Sequence, residues 1–170
     1  LDPVRFLGNR SSGRQGFALA EIAAHRGAEV TIVAGATDDL PTPSGARVEK
    51  VTSAREMAEV VGKLAPEQDV IIMAAAVADF RPVSQAGAKL KKGNDDAALM
   101  TVELVENPDI LATTVQQRRD GLVPAETTIV GFAAETGDEQ TSALEFAQAK
   151  LVRKGCDLLM ANEVGEGKVF

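Results

Sequence analysis

The run Val70-Ile71-Ile72-Met73-Ala74-Ala75-Ala76 constrains the fold of this chain more than any other stretch. A continuous apolar segment of strand length, with no polar alternation, needs cover on both faces. We read it as a buried strand over residues 69–77. Residues 29–34, 127–132 and 157–161 repeat the pattern, and shorter strands are expected at 47–51 and 99–105. Between them lie helix patterns. Phe17, Leu19, Ala20, Ile22, Ala23 and Ala24 give residues 17–26 an apolar face, and Gly27 is placed as its C-cap. Thr52 or Ser53 caps a helix to about residue 64, and Ser53 with Glu56 has capping-box spacing. Further helices are predicted from Asn107-Pro108-Asp109 to residue 119, and over 142–154 with Gly155 closing the end. Strands alternating with helices at short spacing predict a three-layer α/β sandwich with a mainly parallel central sheet and right-handed crossovers.

A chain of 170 residues fits one domain, here 1–170. Its net charge of -7 argues against a duplex nucleic-acid partner, which needs a basic face. No apolar run has membrane-spanning length, and a single cysteine, Cys156, cannot form an internal disulfide. A cytoplasmic protein with no membrane association is therefore expected. Leu1-Asp2-Pro3 opens without a strand to deliver the chain to the loop that follows, and residues 165–170 resemble an approach to a further strand. We read the chain as a fragment whose first strand and C-terminal part lie elsewhere.

That loop is Asn9-Arg10-Ser11-Ser12-Gly13-Arg14-Gln15-Gly16, polar and punctuated by glycine just before the first helix. Unpartnered N–H groups and the helix dipole attract anions there, and small residues permit close approach. Gly, Ser and Asn also cap helices for structural reasons alone. In open α/β sheets ligands bind beyond the carboxyl ends of strands. Ala78-Asp79-Phe80, Phe132-Ala133-Ala134-Glu135 and Ala161-Asn162-Glu163 are expected at such ends, with Ala74, Ala75 and Ala76 leaving room for a flat group. Residues 80–96 read as a mobile loop carrying Lys89, Lys91 and Lys92, either a solvated cluster or a lid over a polyanion. Lys150 and Lys154 share a helix face, and Asn107-Pro108-Asp109-Ile110-Leu111 supplies a second helix start.

Familiar chemistries are missing. His25 sits late in a helix beside Arg26 and reads as a surface residue, and Cys156 reads as a small apolar side chain. There is no zinc-ligand spacing, nucleophile elbow or Walker lysine. The residues instead suit nucleotide activation of a carboxylate, where positioning and charge neutralisation do most of the work.

Asp2-Pro3-Val4-Arg5-Phe6, Asn9-x-Ser11-Ser12-Gly13, Ala74-Ala75-Ala76-Val77-Ala78-Asp79-Phe80, Lys89-Leu90-Lys91-Lys92, Asn107-Pro108-Asp109-Ile110-Leu111, Gly131-Phe132-Ala133-Ala134-Glu135 and Ala161-Asn162-Glu163-Val164 occur in that order. Together they resemble the bacterial phosphopantothenoylcysteine synthetases (phosphopantothenate–cysteine ligases), over essentially the whole chain. The resemblance implies a Rossmann-like three-layer sandwich and a two-step ligation of 4′-phosphopantothenate to L-cysteine in coenzyme A biosynthesis. CTP would be consumed through an acyl-cytidylate, with CMP and pyrophosphate released. It further implies that Asn9 holds the intermediate and that Lys89 is a flap lysine closing over the nucleotide. Ser12, Gly13, Met73, Ala74, Ala75, Asp79 and Phe80 would line the nucleotide site, with Asp79 on ribose or on Mg²⁺. Pro108, Asp109, Ile110 and Leu111 would form a phosphate-binding helix start, Phe132 would flank the base, and Lys150 and Lys154 would complete a cationic wall. A homodimer is implied, with the Arg5-Phe6 segment serving interface and site, and fusion to a flavin-dependent phosphopantothenoylcysteine decarboxylase domain.

The alternative is a Rossmann-like NAD(P)-dependent reductase, suggested by Gly27-Ala28-Glu29-Val30-Thr31. Its glycine spacing is wrong, and Val33-Ala34-Gly35 lacks the acid that would hold a ribose.

Overall fold

Two parallel ladders, each flanked by helices, carry the chain in the computed structural model, which describes residues 1–9, 11–93, 101–136 and 141–163. In chain order the elements are α1 (Arg14–His25), β1 (Val30–Ala34), β2 (Ala46–Lys50) and α2 (Ala54–Leu64), then a 3-10 turn (Ala65–Glu67) and β3 (Val70–Met73). There follow β4 (Phe80–Pro82), β5 (Leu104–Glu106), α3 (Ile110–Arg119), β6 (Thr128–Glu135), α4 (Ala143–Lys154) and β7 (Leu158–Glu163). This is the α/β class that the alternation predicts.

The sheet is divided. β1 pairs with β2 in parallel, from Val30 opposite Ala46 to Ala34 opposite Lys50. β3, β6 and β7 form a second parallel ladder in the order β3-β6-β7, with Met73 opposite Gly131 and Phe132 opposite Met160. No ladder joins β1 to β3 among the described residues. Between them runs a cleft of about 1740 Å³ lined by every residue of both strands.

Helix ends follow local chemistry. Ser142 and Glu145 form a reciprocal capping box on α4, and Gly155 closes that helix with φ of 69°. At α2 the reciprocity is shifted by one residue. Ser53 Oγ accepts from the Glu56 amide, but the Glu56 carboxylate accepts from the Thr52 amide at 2.7 Å and its hydroxyl at 2.8 Å. Those bonds hold the Glu56 carboxyl below its ordinary range, as the Ser142 bonds do for Glu145.

The core is distributed over three small groups: Val51 with Met57 and Ile110, Ala65 with Ile71 and Val123, and Val115 with Ile129 and Cys156. Cys156 is a buried apolar side chain, and His25 is exposed, as their contexts suggest. Gly131 is closely packed: a Cβ there would lie 2.7 Å from Leu111 Cδ2 and 2.9 Å from Leu159 Cδ1, so both leucines would have to shift.

Several boundaries differ from expectation: α1 begins at Arg14 rather than near Phe17, and of the strand read over 99–105 only Leu104 and Val105 are found paired among the described residues, in β5. The strand read over 69–77 leaves its ladder after Met73. Alanine favours strands weakly, and distant side chains take the carbonyls of the exit: Asn9 Nδ2 donates to Val77 O at 3.2 Å and Asn107 Nδ2 to Ala78 O at 2.8 Å. Residues 80–82, read as loop, pair antiparallel with β5, Phe80 opposite Glu106. β6 and β7 run further than read, because Ala133, Ala134 and Glu135 pair with Ala161, Asn162 and Glu163. Arg10, Leu99, Met100 and Val164 lie outside the described residues. No helix among those described is long and apolar enough to cross a membrane.

Candidate functional site

The loop before α1 is built around Gly13, which serves as N-cap with φ of 75°. A side chain is excluded twice, by that left-handed backbone and by Thr37, whose Cγ2 would lie 2.5 Å from an added Cβ. Loop 35–45 props the segment from outside: the Asp38 amide donates to Ser12 O at 3.1 Å, and Arg14 pairs with Asp38 at 3.5 Å. Ser12 Oγ accepts from the Arg14 amide at 3.3 Å, and no side chain of Gly13 caps the helix. Residues 11–16 line one cavity with residues 74–76, 132–134 and Asn162, so the start of α1 lies beside the neighbouring strand ends.

Small residues let those ends come close. An added Cβ on Gly16 would sit 3.8 Å from Ala74 Cβ. Ser12, Gly13, Ala74, Ala75 and Phe132 line a common cavity of about 130 Å³ beside Gln15 and Asn162. Gln15 Oε1 accepts from Asn162 Nδ2 at 3.2 Å, joining the first turn of α1 to β7. The predicted anion loop, the alanine run and the aromatic residue are thus one place. Phe132 and Asn162 reach it from within paired strands rather than from loops beyond them.

The larger cleft gathers Asn9, Met73, Asp79, Phe80, Pro108, Asp109, Ile110, Leu111, Lys150 and Lys154, and opens onto Gly13, Ala74, Ala75 and Phe132 as well. Their contributions differ in kind. The Ile110 side chain is buried in the core with Val51 and Met57, so it can offer a ligand backbone groups only, whereas Leu111 packs against Val115, Ile129 and Cys156 and is half-buried. Asp79 is exposed, and its carbonyl accepts from the Asn107 amide at 2.7 Å. Lys89 is exposed and lines neither cavity.

Both lysines of α4 that line the cleft already have carboxylate partners. Lys150 Nζ lies 3.3 Å from Glu135 Oε1, and Lys154 Nζ is bonded to Asp109 Oδ2. Asp109 also caps α3, accepting from the Ala112 amide at 3.0 Å. Burial opposes ionisation of Asp109, yet the Lys154 ammonium and the Ala112 amide outweigh it and hold the carboxyl below its usual range. One of the helix donors expected for phosphate is therefore taken by Asp109 itself.

Arg81 belongs to none of the motifs, and Asn107 entered them only as part of a helix start. Asn107 clasps the Ala78–Asp79 backbone through its amide and side chain, while Arg81 donates to Glu106 O and to Asn107 Oδ1 at 3.3 Å. Asn107 was visible as part of a helix start, but its partners lie almost thirty residues away. Among the described residues no cluster of three or more His, Cys, Asp or Glu could hold a metal ion. A lone exposed carboxylate such as Asp79 still suits Mg²⁺, which is commonly held by one or two carboxylates together with substrate phosphates and water.

Parallel strands whose carboxyl ends converge on a glycine loop, with residues of both ladders and of the helices beside them lining one crevice, define an α/β domain of the crevice-binding class. More particularly, the chain belongs to the family described as DNA/pantothenate metabolism flavoprotein C-terminal domain, which matches residues 1–170. It is 55% identical over 170 residues to the coenzyme A biosynthesis bifunctional protein CoaBC of Mycobacterium tuberculosis, covering 100% of this chain and 40% of that protein. Identity to the CoaBC protein of Vibrio cholerae is 46% over 164 residues, 96% of this chain and 38% of that one. The crystal structure of a CoaBC C-terminal domain superposes with a TM-score of 0.74 at 36% identity, covering 95% of this chain and 70% of the other. The chain thus spans about 40% of the length of the curated relatives it matches.

Proposed function

We propose that this chain carries a phosphopantothenate–cysteine ligase activity of coenzyme A biosynthesis, driven by CTP. The observation that carries this reading is the 55% identity, across all 170 residues, to CoaBC. The converging loop, strand ends and paired lysines supply a site of suitable chemistry.

In the first step a carboxylate oxygen of 4′-phosphopantothenate attacks the α-phosphorus of CTP. The bond from that phosphorus to the bridging oxygen breaks, pyrophosphate leaves, and an acyl-cytidylate forms. The amine of L-cysteine then attacks the acyl carbon; the C–N bond forms, CMP departs and the amine proton passes to solvent. Ser12, Gly13 and the start of α1 hold phosphate oxygens, with Met73, Ala74, Ala75, Phe80 and Phe132 framing the base and ribose. Pro108 and the backbone of residues 109–111, with Lys150 and Lys154, take the remaining phosphate charge. Asn9, whose Nδ2 now donates to Val77 O, orients the acyl oxygens, and Lys89 neutralises charge as its loop closes. Mg²⁺, held by Asp79 and the phosphates, would supply further neutralisation.

Exposed Phe6, Val4 and Leu7, 79%, 62% and 51% accessible, support a homodimer that covers this segment. The parent polypeptide would also carry a flavin-dependent decarboxylase domain, and the cleft between β1 and β3 would receive the ligase domain's own first strand.

Titration of the full-length protein with CTP, ATP and NADPH, each with Mg²⁺, tests the reading. CTP binding, pyrophosphate release on adding phosphopantothenate, and an amide product after cysteine are expected. NADPH binding without CTP binding would sink the ligase and favour the reductase.

A further inference from the structure

We propose that Asp2 is a positioning residue that mounts the Lys89 loop and the Asn9 segment on one buried carboxylate. The role of Lys89 and Asn9 in turnover rests on the ligase reading above; the mount itself rests on geometry. The Asp2 side chain is 0% exposed, although it belongs to a segment that is otherwise largely on the surface. Its Oδ1 accepts from the Val4 amide at 2.9 Å and the Arg5 amide at 2.8 Å. Its Oδ2 accepts from Arg5 Nε at 3.0 Å, from Arg5 Nη2 at 2.5 Å and, across 88 residues of sequence, from the Leu90 amide at 3.1 Å. Arg5 Nη2 returns to Leu90 O at 2.9 Å, so both backbone polar groups of Leu90 are held by the Asp2–Arg5 pair.

A second tie lies four residues earlier, where the Ala86 amide donates to Leu1 O at 3.0 Å. Lys89 therefore stands between two anchored residues, with its own side chain exposed. At the other end of the same short segment Asn9 reaches Val77 O. None of the three core groups contains a residue from 1–9 or 83–93, so this mount is a local construction attached to the sheet from outside.

An ionised carboxylate offers only acceptors, which is what five converging donors require. Asparagine at position 2 would turn an N–H₂ group toward Arg5 or Leu90, opposing donor to donor and freeing the loop while the sheet persists.

The experiment compares wild type, Asp2→Asn and Arg5→Lys in the full-length protein by amide hydrogen exchange and steady-state ligase kinetics. Asp2→Asn should speed exchange across residues 84–92 about tenfold, with β3, β6 and β7 unchanged. Its kcat should fall by at least about tenfold while KM for CTP moves less than about threefold, the split expected when an interaction specific to the transition state is misplaced. Arg5→Lys, which keeps the charge but loses the fork onto Leu90, should lie between the two. Unchanged exchange at 84–92 in both variants would overturn the mount, whatever the kinetics. Exchange rising in every strand would overturn it too, since Asp2 would then serve stability generally. If Asp2→Asn does not fold, the same two criteria are applied to Arg5→Lys. Faster loop exchange in a protein that forms no amide, even as wild type, would keep the mount and remove the ligase reading.

Discussion

Lys154, in the last turn of α4, is bonded to Asp109, the residue that caps α3. The pair closes the side of the crevice where a triphosphate would lie, so any polyanion entering must compete with a carboxylate for that ammonium. Asparagine caps helices as well as aspartate does. Asp109→Asn should therefore keep α3 and tighten CTP binding about threefold, the size expected for relief of one part-exposed charge. Lys154→Ala should weaken CTP about tenfold. Calorimetry at low salt checks both; an Asp109→Asn protein that binds CTP more weakly would mean the carboxylate helps hold the nucleotide.

Gly13→Ala should be the most damaging single-methyl change at the site. The left-handed backbone costs a β-carbon about 1–2 kcal/mol, and the Thr37 clash adds about as much again. Urea unfolding should show a loss of about 2–4 kcal/mol, with CTP binding abolished. Thr37→Gly in the same chain should recover the part due to the clash and leave the backbone part, because the φ of 75° is untouched.

What could be read beforehand was local. The apolar runs declared their strands, Ser142 with Glu145 declared a capping box, and Gly155 declared the end of α4, because each signal lies within a few residues. The loop at Gly13 could be named from its place at a helix start, and the alanines at 74–76 from their small size near a strand end; that they meet shows only in the cavity they share. What stayed hidden depends on partners far along the chain. The β4–β5 ribbon is three residues a side and contains Pro82, so periodicity has nothing to act on. The ends of β6 and β7 are set by their mutual register. The balance of Lys150 against Glu135 and Lys154 against Asp109 follows from packing of α4 against its neighbours, which no spacing in the sequence states.

Asp157 links α3 to the start of β7 and should govern acid stability in this region. Arg118 donates to its carboxylate at 2.5 and 3.1 Å, and the Ile129 amide donates at 2.7 Å. The Arg118 guanidinium and that amide hold the carboxyl below its ordinary range, against a smaller opposing effect of burial. A carboxyl with a depressed folded-state pKa contributes stability that is full above its unfolded value and is lost as pH falls through the folded one. The contribution should therefore be present at pH 7 and fade below about pH 4, the ordinary aspartate value. Asp157→Asn should cost about 1–2 kcal/mol at pH 7, reduced for part exposure, and the difference from wild type should shrink toward pH 2. Denaturation midpoints at both pH values measure it; an equal difference at the two would assign the cost to shape instead of charge.

Among the described residues β1 and β3 each have one laddered neighbour, and the cleft between them is lined by all nine of their residues. β3 stands at the edge of its ladder, so the row of backbone groups it turns toward β1 has no strand partner among the described residues. A strand inserted there would satisfy two rows of backbone groups at once and unite the ladders into one sheet. We expect that strand to come from the parent polypeptide. Hydrogen exchange comparing the 170-residue chain with the full-length protein should show the amides of β1 and β3 protected at least about tenfold more in the latter, with β6 and β7 changing less. A synthetic peptide from the preceding segment, added to the 170-residue chain, should restore part of that protection. Equal protection in the short and long proteins would mean that the two ladders are stable as separate sheets.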